Sequence, residues 1–155
     1  MEVPIMGMKA NSGYFSKTAG ALKHKLNIQY FASKIFRKDG HTDYKRIADN
    51  RELFYGKSVS QINSAMKEQG YETTIRKSTH SGSRAKFIVV GNSNQNRNVT
   101  AVEVTPGSPR HGNVPYVRIS TSDLGKFKVI NGTKSQYKTD GSEKAKLIFR
   151  RKSAE

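Results

Sequence analysis

The sequence contains no cysteine, so the fold can use neither disulfides nor a thiolate metal site, and the count leaves the redox compartment open. It has no apolar run near the roughly 20 residues that cross a membrane. Its N-terminus shows no charged region followed by an apolar one, so no signal peptide is visible. Acidic residues are scarce, with twelve Asp and Glu against twenty-eight Lys and Arg. That scarcity argues against a metal-dependent nuclease, which needs two or more carboxylates, or His with Asp, converging on an ion. Asp39, His41 and Asp43 stand close together, but in turn-rich sequence outside the regular region. No HNH-like pattern, H-E-x-x-H or Walker loop is present.

What remains is charge. The 155 residues carry a formal +16, and the pI is near 10.2. A surface that repels itself so strongly calls for a polyanion, and nucleic acid is the commonest. Residues 1–50 hold nine basic and four acidic groups, and residues 51–155 hold nineteen and eight. The excess therefore belongs mainly to the second part and not to a basic arm.

The two parts differ in pattern as well. Residues 1–25 are rich in Gly, Ser, Lys and Ala without a sustained period, and read as a linker or mobile tail. Residues 26–36 (LNIQYFASKIF) form a short apolar island, expected as a strand or one helical turn docked on the domain. We therefore expect residues 1–49 to be a partly mobile leading segment and residues 50–155 to be the folded domain. In the latter, Ser58 is a good helix N-cap, Val59, Ile62, Ala65 and Met66 share one face, and Gly70 stops the helix. Strand-like runs follow at 71–77, 86–90, 99–105, 116–120, 126–130 and 145–149, separated by Gly, Asn, Asp and Pro turn signals. A helix in front of such a series predicts an α+β fold, with one or more N-terminal helices packed on a curved antiparallel sheet.

RNA can be cut without a metal because its 2′-hydroxyl is an internal nucleophile. A base takes that proton, an acid protonates the leaving 5′-oxygen, and a cation stabilises the charged phosphorane. His suits both proton transfers, and Arg suits the charge. Such residues gather at the strand ends, where sites are usually built: Arg76-Lys77-Ser78-Thr79-His80-Ser81, then Ser108-Pro109-Arg110-His111-Gly112, then Arg118-Ile119-Ser120-Thr121. His111, Arg110, Arg118, His80, Ser120 and Thr121 are the candidate catalytic residues. Lys57, Lys77, Ser78, Tyr116, Lys126 and Lys128 are candidate substrate contacts. Each has a blander reading: His80 as a solvated loop histidine, residues 110–112 as a rigid exposed turn, Lys126 and Lys128 as cations kept in water on one shared face. Tyr116 reads equally as a base-stacking ring or a core tyrosine.

The segments NRELFYGKSVSQINSAMKEQGYE, VTAVEVTPGSPRHGNVPYVRISTSDLGKFKVI and YKTDGSEKAKLIF resemble the C-terminal toxin domains of LXG-type polymorphic toxins of Gram-positive bacteria. The likeness covers about two thirds of the chain, and the PRHGxxPYVRIST stretch is its most specific part. It implies a barnase/EndoU/colicin/RelE-like fold and a metal-independent ribonuclease that needs no cofactor and arrests rival cells. Arg110, His111, Arg118, Ser120 or Thr121, and His80 would be active-site residues. The resemblance further implies an acidic immunity protein covering that site, export as part of a larger toxin whose secretion region these residues lack, and action in the target's cytoplasm. The competing expectations are a DNase toxin and a noncatalytic RNA- or ribosome-binding module. RNA target, base and acid assignment, and oligomeric state stay open.

Overall fold

The computed structural model describes residues 12–152 except 38, 94, 95 and 140, and for residues 12–19 the backbone alone. Three helices, α1 (Ser12–Ile35), α2 (Tyr44–Asp49) and α3 (Val59–Glu68), precede β1 (Thr73–Lys77), β2 (Lys86–Val90), β3 (Val99–Thr105), β4 (Tyr116–Thr121), β5 (Lys126–Ile130) and β6 (Lys146–Ile148). Short 3-10 turns occupy Arg51–Phe54 and Pro109–His111. The strands form one open sheet in sequence order, and the fold is α+β.

Helix α3 follows its sequence signals. The Ser58 hydroxyl accepts from the Gln61 backbone N–H while the Gln61 side chain accepts from the Ser58 N–H, a complete capping box. Ile62, Ala65 and Met66 are buried, and Gly70 ends the helix at φ +86°, where a side chain would meet the Arg97 guanidinium.

The leading segment departs from expectation. Residues 1–11 lie outside the described residues. From Ser12 onward the supposed linker is helical, and residues 26–35 are the end of α1 and not a strand or a single turn. The reason is packing: Ile28, Phe31, Ala32 and Ile35 recur at helical spacing and are all buried. The Phe31 ring meets Phe54 edge-on at 5.0 Å and Phe36 at 5.7 Å. These residues share one core with Ile47, Ala48, Ile62, Val117 and Ile148. A division at residue 50 therefore does not correspond to any break in the core. The carboxyl end is fastened to the same region, since Arg151 pairs with Glu52 at 2.6 Å and Arg51 donates to the Phe149 carbonyl.

The sheet also departs in one pairing. The pairs from β1 to β5 are antiparallel, but β6 runs parallel to β5, with Phe127 opposite Lys146 and Val129 opposite Ile148. Alternation along the strands gives the sheet two different faces. Ile88, Val102, Val117, Ile119, Phe127 and Val129 face the helices. On the other face Tyr116 and Ile130 pack with Val114 and Tyr137, and with the half-buried Leu147 and Phe149, as a second, smaller core.

Candidate active site

That second face carries the charged residues. Register places Phe87, Glu103, Arg118 and Lys128 in one row across β2 to β5, with Thr105 and Tyr116 in the row beside it. They floor a cleft of about 540 Å³, walled by the β1–β2 loop, the turn at Pro109–His111 and residues 142–145. Six Lys and Arg line it, against Glu103 and Glu143. Among the described residues no three His, Cys, Asp or Glu side chains converge on one point. Asp39 pairs with Arg37 at 2.7 Å, and Asp43 caps α2 by accepting from the Arg46 N–H.

The cleft brings together His80, Arg110, His111, Arg118, Ser78, Tyr116, Lys126 and Lys128. It does not include the other four candidates. The Thr121 hydroxyl donates to the Gly125 carbonyl and accepts from the Leu124 N–H, which closes the β4–β5 turn. Ser120 lies one step along the face of Arg118, opposite Lys126, but beyond the cleft lining. Lys77 is exposed at the end of β1. Lys57 lies 5.0 Å over the Phe31 ring, and burial lowers its pKa from the usual lysine value.

His111 is not on an exposed turn. Ser108 caps the 3-10 turn by accepting from the Arg110 N–H, Pro109 opens it, and Gly112 leaves it at φ +79°. A Cβ at Gly112 would collide with the Gln136 carbonyl oxygen, so the turn lies directly against residues 136–138. There the Lys138 N–H donates to the His111 carbonyl at 3.3 Å, and the Lys138 carbonyl lies 2.6 Å from His111 Nδ1. The imidazole stacks on Tyr137, with centroids 4.7 Å apart and planes at 9°, and is only 6 % exposed. Since a carbonyl can only accept, Nδ1 carries a proton, and Nε2 is the nitrogen left to exchange one. Arg110, the next residue back, is exposed, with a terminal nitrogen 3.4 Å from the Ser142 hydroxyl.

The two lysines that share a face are not equivalent. Lys126 is exposed, whereas Lys128 is 5 % exposed. Its ammonium donates to the Tyr137 hydroxyl at 2.9 Å and to Glu143 at 3.0 Å, and lies 4.6 Å from the Tyr116 ring centroid. The Tyr137 hydroxyl in turn donates to Glu143 at 2.7 Å. Burial alone would push the Glu143 carboxyl up, but Tyr137 and Lys128 together hold it below the ordinary carboxylate value. Tyr116 is pushed up to about 12 by burial and by the nearby Glu103 charge, so it stays a phenol at neutral pH.

Glu103, Tyr137 and Glu143 are the site residues that the sequence reading misses. Glu103 is the one charged residue in β3, and its Oε1 lies 3.2 Å from an Arg118 terminal nitrogen. The approach lacks hydrogen-bond alignment, and among the described residues neither that oxygen nor Arg118 Nε has a hydrogen-bond partner. A lone acid amid β-branched residues was the available signal for it. Among the described residues no helix is long and apolar enough to cross a membrane. No family model, curated protein or solved structure matches the chain.

Proposed function

We propose that the protein is a metal-independent endoribonuclease. The observation that carries this reading is His111, fixed in one tautomer by the Lys138 carbonyl at the edge of a cationic cleft that also holds the Glu103–Arg118 pair. The Glu103 carboxylate removes the 2′-hydroxyl proton, and His111 Nε2–H gives a proton to the leaving 5′-oxygen. Arg118 and Arg110 hold the phosphoryl oxygens as charge grows on them. His80, exposed on the cleft wall, is the second candidate for a proton transfer. The role of a growth-inhibiting toxin, exported within a larger protein to act in the target's cytoplasm and held by an acidic immunity protein over the cleft, rests on the toxin-domain resemblance alone. Rescue of an expressing host by such a partner tests it.

Incubation with total RNA and with plasmid DNA, each with and without EDTA, decides the chemistry. RNA should be cut in both conditions to 2′,3′-cyclic phosphate or 3′-phosphate ends, and DNA should stay intact. Loss of all cleavage on chelation, or cutting of DNA, refutes the mechanism. Binding should weaken steeply with salt. The six cleft cations exceed the two glutamates by four, and at about 0.7 counterions per single-strand phosphate the slope of log affinity against log salt is about −3. A flat affinity shows that the basic cleft serves another purpose.

A second reading, a noncatalytic RNA-binding module, is favoured by one observation: a histidine 6 % exposed and stacked on tyrosine is also what a purely structural role requires. RNA bound with salt-dependent affinity but never cut selects it.

A further inference from the structure

We propose that a separate apolar recess, continuous with the cleft, holds the nucleobase of a nucleotide next to the scissile phosphate. The inference rests on the RNA reading above and assigns it a subsite. The recess encloses about 330 Å³ between residues 54–59 and the ends of β3, β4 and β5. Its walls are mainly apolar, with Phe54, Val59, Val104, Pro106, Pro115 and Val129 among them. Arg84, Thr105 and Tyr116 line both the recess and the cleft, so the two adjoin where β3 ends and β4 begins.

Charge selects the occupant. Lys57, Arg84 and Lys86 line the recess, and among the described residues no acidic one does. An apolar slot bordered only by cations suits a group that is apolar on its faces and tethered to phosphate, as a nucleobase is. The volume is at the lower end for small-molecule pockets and suits one base rather than a folded segment. Polar residues line the recess too, among them Tyr55, Ser58 and Asn131. The Asn131 Oδ1 already accepts from Arg150 Nε at 2.8 Å. The Asn131 amide NH2 is then a donor that remains for a ring nitrogen or carbonyl of the base.

Two measurements test the assignment. In an NMR titration of the full chain, a nucleoside 3′-phosphate should shift amides of residues 54–59, Val104 and Thr105 as well as the cleft, while ribose 5-phosphate should shift the cleft alone. In cleavage of a short RNA with one scissile linkage, an abasic nucleotide on one flank should lower kcat/KM by about 10–100-fold, the worth of one stacked base. Val59→Trp, which fills the slot, should remove that difference. Identical shifts from both probes, or equal cleavage of intact and abasic RNA, overturns the inference while leaving the ribonuclease reading intact. Should RNA not be cut at all, the titration still decides the recess by itself.

Discussion

Replacing His111 with Ala is expected to lower RNA turnover about 10²–10⁴-fold, the usual worth of a general acid or base. The ring cannot be removed without a structural effect, because it is stacked on Tyr137 and bonded to the Lys138 carbonyl. Leaving that carbonyl without its donor and losing the stack costs about 1–3 kcal/mol. The activity must therefore be compared at matched folded fraction, with circular dichroism on the same samples. His111→Gln, which keeps a donor in the position, separates the two effects: stability should recover in part and turnover should not. The pH–rate profile should lose one limb in the His111 variants. Arg118→Ala should lower the rate with both limbs kept, because a guanidinium does not titrate in this range. A folded His111→Ala protein that cuts RNA at the wild-type rate removes this residue from the mechanism and leaves His80 to be tested in the same way.

Glu143→Ala is expected to destabilise the fold by about 3–5 kcal/mol, the penalty for leaving one partner of a buried ion pair uncompensated. Lys128 has only 6 % of its side chain exposed, and Glu143 is its one carboxylate partner among the described residues. Changing both residues, Lys128→Met with Glu143→Leu, should restore most of the loss, since an apolar pair of similar volume carries no buried charge. The effect of pH follows from the direction of the shift. The Glu143 carboxyl is held below its ordinary 4.5, so its stabilisation is complete above that pH and lost as pH falls through the lowered value. The gap in Tm between wild type and Glu143→Ala should therefore be widest near neutrality and close in acid. A gap that does not change with pH shows that the carboxylate charge contributes nothing.

The sheet was largely legible in the sequence, because β-branched runs between turn residues mark strands wherever one face must be buried. β2, β3 and β5 begin and end where that pattern predicts, and α3 announces itself through Ser58, the face of Val59, Ile62, Ala65 and Met66, and Gly70. Helix α1 was illegible for a physical reason. Its buried stripe of Ile28, Phe31, Ala32 and Ile35 is short, and Leu22, Leu26 and Tyr30 stand exposed on it at 57, 54 and 53 %, which blurs the period. The direction of β6 is set by where the chain returns, which no local pattern encodes. In the cleft, His111 and Arg118 could be named because they stand in a dense local cluster of His, Arg and hydroxyl residues. Glu103 showed only as a lone acid within a strand, since its pairing with Arg118 lies across two strands. Alternation put Lys126 and Lys128 on one face correctly but could not show that Tyr137 and Glu143, from a later segment, engage only the second of them in these bonds.

The parallel pairing of β6 sets a timetable. A parallel neighbour cannot be reached by a tight turn, so residues 131–145 must carry the chain back to the starting end of β5 before β6 can pair. This return stretch holds the stacking ring of Tyr137, the Lys138 carbonyl and Glu143. A nascent chain emerged only as far as Ile130 already has the helices and five strands, yet His111 has neither its stacking partner nor its carbonyl acceptor. Synthesis runs from the amino end, so the imidazole is oriented only once Tyr137 and Lys138 have left the ribosome. The setting of His111 is thus acquired after the helices and the first five strands have been made, so its order of assembly follows from the direction of one strand.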